Sequence, residues 1–151
     1  MRVGVLSDTH GLLRPEAVEA LRGSDLILHA GDIGSPALLE ALAALAPVQA
    51  VRGNNDVEPW AQAVPETLTL ELAGHRIHLL HDLKQLALDP PRAGIAVLIA
   101  GHSHQPLCER REGVLHLNPG SAGPRRFRLP VSVARLELRA DGVAAELVML
   151  G

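Results

Sequence analysis

Five short patterns in this chain carry side chains that bind divalent cations in proteins. Together they supply two carboxylates, one carboxamide and four imidazoles, a mixed oxygen and nitrogen set without thiolate. Two such cations held side by side are a common device for cleaving phosphate esters. Each pattern alone also has a structural explanation as a turn, a helix cap or a surface histidine, but their order predicts a dinuclear metal site. The patterns are Asp8-Thr9-His10, Gly31-Asp32, Gly53-Asn54, His81 and Gly101-His102-Ser103-His104.

The first patterns follow apolar runs, as functional groups do at the strand ends of an α/β fold. Apolar runs predict strands at Met1–Ser7, Leu26–His29 and Val48–Val51. An amphipathic pattern predicts a helix over Arg14–Leu21, and a second helix begins with Ser35 as N-cap and Pro36 in the first turn. The first third of the chain therefore follows a β-α-β-α-β order.

The second half of the sequence predicts mainly antiparallel β-structure. Three pairs of apolar runs flank turn signals, and a single strand over Val97–Ala100 precedes the two-histidine motif. The proline-containing stretches Asn55–Pro65 and Leu86–Gly94 carry no firm assignment. The predicted hairpins are Thr67–Leu72 with Arg76–Leu80, Leu107–Arg111 with Val114–Leu117, and Val131–Leu138 with Val143–Leu150.

The remaining histidines do not fit the metal pattern. His78 lies three residues from His81, on the opposite face of its strand, and is predicted to be structural. His75 lies in a predicted turn and is expected to be solvated, whereas His29 is expected to be a hydrogen-bonded neighbour of the site. His116 has no motif around it.

Length, composition and charge limit the classes of protein to which this chain can belong. The chain has 151 residues, 47% of them hydrophobic, with a net charge of −3 and one cysteine, Cys108. These values predict a single domain over residues 1–151 that is soluble in the cytoplasm, with no leader or membrane span. Neither the charge nor the two aromatic residues, Trp60 and Phe127, indicates a membrane or nucleic-acid partner.

The order D-x-H, GD, GN, H and GHxH resembles the calcineurin-like metallophosphoesterase superfamily. The chain is most similar to its small bacterial and archaeal branch, the YfcE/MJ0936-type phosphodiesterases, over nearly its whole length. The resemblance includes the stretch Leu28–Asp32 and the turn Asn118–Ser121. It implies an α/β fold, a four-layer α/β/β/α sandwich with two mixed β-sheets.

The resemblance also implies roles for the seven motif residues. Two divalent ions are expected, most readily Mn²⁺, with Ni²⁺, Zn²⁺, Fe or Co²⁺ as alternatives, and Asp32 would bridge them. A hydroxide between the ions would attack the phosphorus of a small phosphate ester, most readily a diester. Self-association into a homo-oligomer is also possible in this branch. One ion is expected on Asp8, His10, Asp32 and His104, and the other on Asp32, Asn54, His81 and His102.

One position departs from the pattern of many superfamily members. Asn55 stands where they carry a histidine that assists the leaving group, and a carboxamide cannot act as a general acid at neutral pH. We therefore expect better activity on esters with activated leaving groups. Arg125, Arg126 and Arg128 are equally well explained as phosphate-binding residues or as a solvated basic loop.

Three other functions compete with the phosphodiesterase hypothesis. The same site could serve a phosphomonoesterase. A Vps29-like, non-catalytic protein-binding scaffold would share the fold, and we expect metal content to separate the two. A flavodoxin-like or Rossmann nucleotide-binding domain is disfavoured, because the segment Val5–Gly11 contains neither G-x-G-x-x-G nor a P-loop lysine.

Overall fold

Two five-stranded β-sheets lie face to face at the centre of the computed structural model, which describes residues 1–126 and 128–150. The first sheet has the strand order β10-β9-β1-β2-β3, and the second has β4-β5-β6-β8-β7. Both sheets are mixed, as expected from the resemblance. In chain order the strands are β1 (Arg2–Leu6), β2 (Leu26–His29), β3 (Val48–Ala50), β4 (Thr67–Leu72), β5 (His75–Leu80), β6 (Val97–Ile99), β7 (Leu107–Arg111), β8 (Val114–Asn118), β9 (Ser132–Arg139) and β10 (Gly142–Met149).

Each observed strand agrees with its predicted run to within one residue at either end. The parallel pairing of β1, β2 and β3 confirms the β-α-β-α-β order at the start of the chain. The three predicted hairpins are also present. The prediction of mainly antiparallel structure misses the middle of the second sheet, where β5, β6 and β8 pair in parallel.

Two α-helices lie on the outer face of the first sheet, α1 (Pro15–Leu21) and α2 (Pro36–Ala43). Each begins with a proline, whose fixed φ suits the first turn and whose missing N–H is not needed there. Ser35 is the N-cap of α2, as predicted, but its side chain makes no capping hydrogen bond. No helix among the described residues is long and apolar enough to span a bilayer.

Apolar side chains fill three layers between the four layers of secondary structure. Alternation along each strand sends Leu28 of β2 between the two sheets and its neighbour Ile27 towards α1 and α2. On the outer face of the second sheet, Leu98 packs against Leu86 and Leu88. The four-layer architecture is therefore confirmed, although the last layer consists of a short 3₁₀ helix, Leu83–Gln85, and the loop that follows it.

One 3₁₀ helix lies within the first stretch without a firm assignment, and another ends just before the second. The first of these helices is Pro59–Ala63, and the other is Leu83–Gln85. Phe127, one of the two aromatic residues counted above, lies outside the described residues, as does Gly151, the last residue of the predicted domain.

Candidate metal centre

The carboxyl ends of five strands meet at one end of the sandwich and bring the predicted motifs together. Strands β1, β2 and β3 are parallel, and so are β5 and β6, so the loops that follow them leave the sheets on the same side. Within the first sheet, the Asp8 N–H donates to the Gly31 carbonyl at 2.9 Å. Between the sheets, the His102 N–H donates to Asp8 Oδ2 at 3.1 Å.

Asp8 lies at the centre of the resulting cluster. Its Oδ1 atom lies 3.3 Å from His104 Nε2 and 3.9 Å from the Nε2 atoms of both His10 and His81. Asp32 Oδ2 lies 3.7 Å from His10 Nε2 and 3.3 Å from His81 Nε2. Two overlapping groups could each hold an ion with ligand atoms within 4.8 Å of one another: Asp8, His10 and His104, and Asp8, Asp32 and His81.

Asn54 and His102 complete the cluster on its solvent side. His102 Nδ1 lies 3.1 Å from Asn54 Oδ1 and 3.3 Å from His81 Nε2. The Nε2 atom of His102 points away, towards Asp82 Oδ2 at 3.9 Å. All seven predicted residues therefore lie in one constellation, with His102 presenting Nδ1 to it.

Two atoms of this cluster fit a bound cation better than they fit a metal-free protein. Asp8 Oδ1 and His10 Nε2 are buried, and neither has a hydrogen-bond partner among the described residues. A buried carboxylate oxygen without a partner is costly, because it has lost its hydration and gained nothing in return. A divalent cation between these atoms would supply the missing interaction, and oxygen and imidazole donors suit such an ion.

Hydrogen bonds behind the cluster set the state of its histidines. The Nδ1–H of His81 donates to the Ala30 carbonyl at 2.7 Å, which leaves Nε2 directed at Asp32 and Asp8, where it donates to Asp32 in the metal-free centre and would coordinate a bound cation. This is the arrangement that fixes a metal-binding imidazole in its tautomer and orientation.

His29 is a structural neighbour of the centre, as predicted. Its Nδ1 accepts from the Gly31 N–H at 3.0 Å, and Nε2 lies 2.9 Å from the Thr9 hydroxyl. That hydroxyl donates to the Ile33 carbonyl at 2.8 Å, so Nε2 must carry the proton and donate to Thr9. Burial, reinforced by repulsion from His81, lowers the pKa of His29 to about 3, so the ring is neutral.

Charge in the metal-free centre favours an ionised Asp32. Burial acts to raise the pKa of Asp32, but hydrogen bonds from His81 and from the Asn55 N–H lower it to about 2. Burial likewise opposes protonation of His81, yet the same hydrogen bond and the charges of Asp8 and Asp32 raise its pKa. Burial lowers the pKa of His104, and the nearby Arg126 adds to this effect.

Five of the seven residues adopt a backbone conformation that side chains disfavour. The φ angles are 56° at Asp8, 47° at His10, 56° at Asp32, 71° at His102 and 62° at His104. Residues other than glycine rarely occupy this left-handed region, and such strain concentrates at functional sites.

Two glycines allow the loops to approach each other this closely. A Cβ atom on Gly53 would lie 2.1 Å from Asp32 Oδ1, and one on Gly31 would lie 2.6 Å from His81 Nδ1. Gly31 also has a φ of 103°, which any side chain would strain. Any larger residue at these two positions would therefore push the ligand loops apart.

Sequence reasoning missed the residue that joins two of the loops. Asp56 follows Gly53-Asn54-Asn55, and its carboxylate is buried and accepts three backbone N–H groups. Those groups belong to Ile33, Gly34 and Gly53, so Asp56 fixes the Asp32 loop against the Asn54 loop. An acidic residue after three turn-forming residues was the only signal in the sequence.

Three further polar residues support the ligands. Ser7 Oγ donates to Asp8 Oδ2 at 2.6 Å. Asn118 Nδ2 donates to the Gly101 carbonyl and to Ser103 Oγ, both at 3.1 Å, and so holds the two-histidine loop. Asn55 donates to both oxygens of Asp32, from its N–H at 2.9 Å and from Nδ2 at 3.1 Å.

The other histidines lie away from the cluster. His78 bonds to Thr69 Oγ1 at 2.8 Å, in keeping with its predicted structural role. The expectation for His75 was wrong. The turn needs only Ala73 and Gly74, both in the left-handed region, so His75 begins β5 and bonds to the Arg139 carbonyl.

Comparison with known proteins identifies the class that this fold and cluster define. Residues 1–141 match the model of the calcineurin-like phosphoesterase superfamily domain. The chain is 39% identical to a probable metallophosphoesterase of Methanothermobacter thermautotrophicus, over all of this chain and 94% of that protein. The chain therefore belongs to the calcineurin-like phosphoesterase superfamily, whose members use divalent metals.

Two solved structures share the fold. An archaeal phosphodiesterase superposes with a TM-score of 0.82 at 24% identity, over 99% of this chain and all of the other. Vps29 from Entamoeba histolytica in complex with Zn²⁺ superposes with a TM-score of 0.78 at 23% identity, over the full length of both chains. The resemblance stated from the motifs is thus confirmed at the level of family and architecture.

Proposed function

We propose that this chain is a metal-dependent phosphoesterase that acts on small phosphate diesters. The observation that carries the proposal is the convergence of three imidazoles, those of His10, His81 and His104, on Asp8 Oδ1, a buried carboxylate oxygen with no hydrogen-bond partner among the described residues. Family membership supports the same class of reaction.

The proposed ligands extend the two groups in the cluster by adding Asn54 and His102 on its solvent side. Asp8, His10 and His104 would hold the more buried ion, and His81, Asn54 and His102 the more exposed one, with Asp32 between them. When bound, two divalent cations supply a nucleophile from water at neutral pH and neutralise charge on the phosphoryl group.

The chain's own residues provide the geometry for that chemistry. His81 is fixed by the Ala30 carbonyl and Asp32 by the two donors of Asn55, so neither needs to reorganise when the substrate binds. Because the Asn55 carboxamide is engaged with Asp32, it offers the leaving group no proton. Activated alcohols should therefore leave more readily than simple alkoxides.

The test is hydrolysis of bis(p-nitrophenyl) phosphate beside p-nitrophenyl phosphate, by protein stripped of metal and reloaded with Mn²⁺, Ni²⁺, Zn²⁺ or Mg²⁺. We expect metal-dependent turnover, faster on the diester, that falls more than about a hundredfold in Asp32→Asn and His102→Ala. Asp141→Asn and His75→Ala make the same chemical changes outside the cluster and should retain the activity. Faster turnover of the monoester would replace the diesterase by a phosphomonoesterase.

A Vps29-like scaffold is the second candidate function, favoured by the similarity of the two folds. The expectation that metal content separates the two functions does not hold, because a Vps29 is itself known in complex with Zn²⁺. Turnover separates them instead. Folded protein that binds metal but hydrolyses neither ester would favour the scaffold.

A further inference from the structure

A cavity of about 580 Å³ opens beside the metal centre, on the outer face of the second sheet. Its wall includes Gly101, His102 and Ser103, which belong to the two-histidine loop. Small-molecule pockets in proteins have volumes of about 300–1,000 Å³, so a bound organic group would fit. A molecule held at the metal centre can therefore extend directly into this cavity.

The lining of the cavity is mainly aliphatic, with the polar side chains of Gln105, His116 and Asn118 among it. No Phe, Tyr or Trp occurs among the described residues that line it, so its aromatic rings are the imidazoles of His102 and His116. Leu83 at its mouth is 42% exposed, an unusual position for a large apolar side chain. The apolar side chains of the lining on this face are Leu83, Leu98, Ala100, Pro106 and Leu107.

The cavity exists because the outer layers of the two sheets differ. Two α-helices cover the first sheet, whereas a three-residue 3₁₀ helix and a loop cover the second. This short cover leaves space against β6, β7 and β8, and residues of all three strands line it.

The charged side chains that line the cavity are Asp82, Lys84 and Arg111. Arg111 is paired with Glu109. Asp82 is half-buried and faces His102 Nε2. Because carboxylate and cationic groups both line it and most of the remaining lining is aliphatic, the cavity favours an uncharged apolar group over a second phosphate.

A second cavity of the same volume makes a useful contrast. It lies along β1, β9 and β10, and its walls carry Arg2, Arg22 and Arg135 together with Glu137 and Glu146. It contains no residue of the metal centre. It therefore offers no apolar continuation for a substrate bound there.

We propose that the cavity beside His102 binds an apolar organic group of the phosphate ester. Resting on the proposed function, this inference narrows the substrate to esters that carry an aryl or branched alkyl group. Esters whose second group is too small to reach Leu83, Leu98 and Leu107 should be poorer substrates, because they leave these apolar side chains uncovered.

The test compares two phosphodiesters that share a p-nitrophenoxide leaving group and carry either a phenyl or a methyl group as the second ester. Each kcat/KM is divided by the rate of spontaneous hydrolysis, which corrects for intrinsic reactivity. We expect the phenyl ester to be favoured about tenfold. Leu83→Ser should reduce that ratio to about threefold, whereas Met149→Ser, the same type of change at an exposed residue of β10, should not alter it.

Binding gives a second readout that does not depend on turnover. Diphenyl phosphate added to the Zn²⁺-loaded protein should shift the amide resonances of Leu83, Lys84 and Leu107, and dimethyl phosphate should not. Equal corrected rates for the two esters, a ratio unchanged in Leu83→Ser, or no shifts at these amides would overturn the inference. Failure to hydrolyse any ester would instead contradict the proposed function, while the shifts would still decide whether the cavity binds the aryl group.

Discussion

The two sides of the metal centre differ in burial and in the hydrogen bonds they make. On the inner side, the side chains of Asp8 and His104 are 0% and 3% exposed, and Asp8 Oδ1 has no hydrogen-bond partner among the described residues. On the outer side, His102 is 44% exposed and already bonds to Asn54 and His81.

This difference predicts unequal affinity for two ions. The inner side contains polar atoms that burial leaves unsatisfied, so an ion there gains the most and has the least access to competing water. On the outer side, the polar atoms of His102 and Asn54 already have hydrogen-bond partners without an ion. This side also faces the solvent from which a substrate must arrive. We therefore expect a tightly held inner ion and an outer ion that exchanges more readily.

The change with the largest expected effect removes the carboxylate at the centre of the cluster. Asp8→Asn should lower kcat/KM by more than about a hundredfold with every metal, because Asp8 Oδ1 lies within 3.9 Å of the Nε2 atoms of three candidate ligands, His10, His81 and His104. Metal analysis after gel filtration should find fewer ions per chain than in the wild type. Asp141→Asn is the matched control, and retention of full metal content in Asp8→Asn would contradict the central position of Asp8.

A pair of histidine variants tests the comparison directly. In His104→Ala the inner ion should be lost, and added Mn²⁺ in the millimolar range should restore little activity. His102→Ala should recover most of its activity as Mn²⁺ is raised, because only the exchangeable ion is weakened. Titrations of activity against metal concentration measure both, and equal rescue of the two variants would remove the distinction between the sides.

Asp56→Asn should weaken the hydrogen bonds that hold the Asp32 loop against the Asn54 loop. The carboxylate accepts three backbone N–H groups, and a carboxamide presents one oxygen and an NH₂ group to them. We expect a loss of about 2 kcal/mol in the free energy of unfolding of the metal-free protein. We also expect about tenfold weaker metal binding. Urea denaturation and metal titration measure these effects, and an unchanged stability would show that the loops are held by other contacts.

The pH dependence of the metal-free fold should report on Asp32. Its pKa of about 2 lies below the ordinary value of 3.8, so the ionised carboxylate stabilises the fold above pH 3.8. That stabilisation should be lost as the pH falls through about 2, and it amounts to about 2 kcal/mol. Urea midpoints between pH 5 and pH 2 should therefore fall more steeply in the wild type than in Asp32→Asn, and parallel curves would argue against the depressed pKa.

The smallest expected effect belongs to Ser7→Ala. The hydroxyl donates to Asp8 Oδ2, which also accepts from the His102 N–H, so the carboxylate keeps one of these two bonds. Metal affinity should fall by about tenfold or less, which is the lower end of the effect expected when a residue that hydrogen-bonds to a metal ligand is removed. Isothermal titration of Zn²⁺ into the metal-free protein measures it, and a larger loss would place Ser7 among the residues essential to the centre.

The sequence was informative where local chemistry decides the structure. Apolar runs predicted each strand, and the alternation of Ile27 and Leu28 follows from the period of a strand. The seven site residues were selected by residue type and position after such runs. Their roles as ligands remain a prediction for the metal titrations.

The pairing of strands that are distant in the chain could not be predicted in the same way. The parallel neighbours of β6 come from strands on either side of it in the chain, and no local pattern encodes that choice. Asp56 was missed for a related reason, since its partner Ile33 lies 23 residues earlier in the chain. The cavity beside His102 depends on how little chain covers the second sheet, which is a tertiary property.

The left-handed backbone of the ligand loops has a consequence for the order of assembly. An unfolded chain rarely holds these residues in such conformations, and Asp8 and His102 are 94 residues apart. The ion is therefore expected to join only after both sheets have paired, unlike the structural zinc that initiates the folding of a small finger domain. Metal would then bind to the folded protein. Each bound ion would raise the free energy of unfolding by an amount that grows with the logarithm of the free metal concentration.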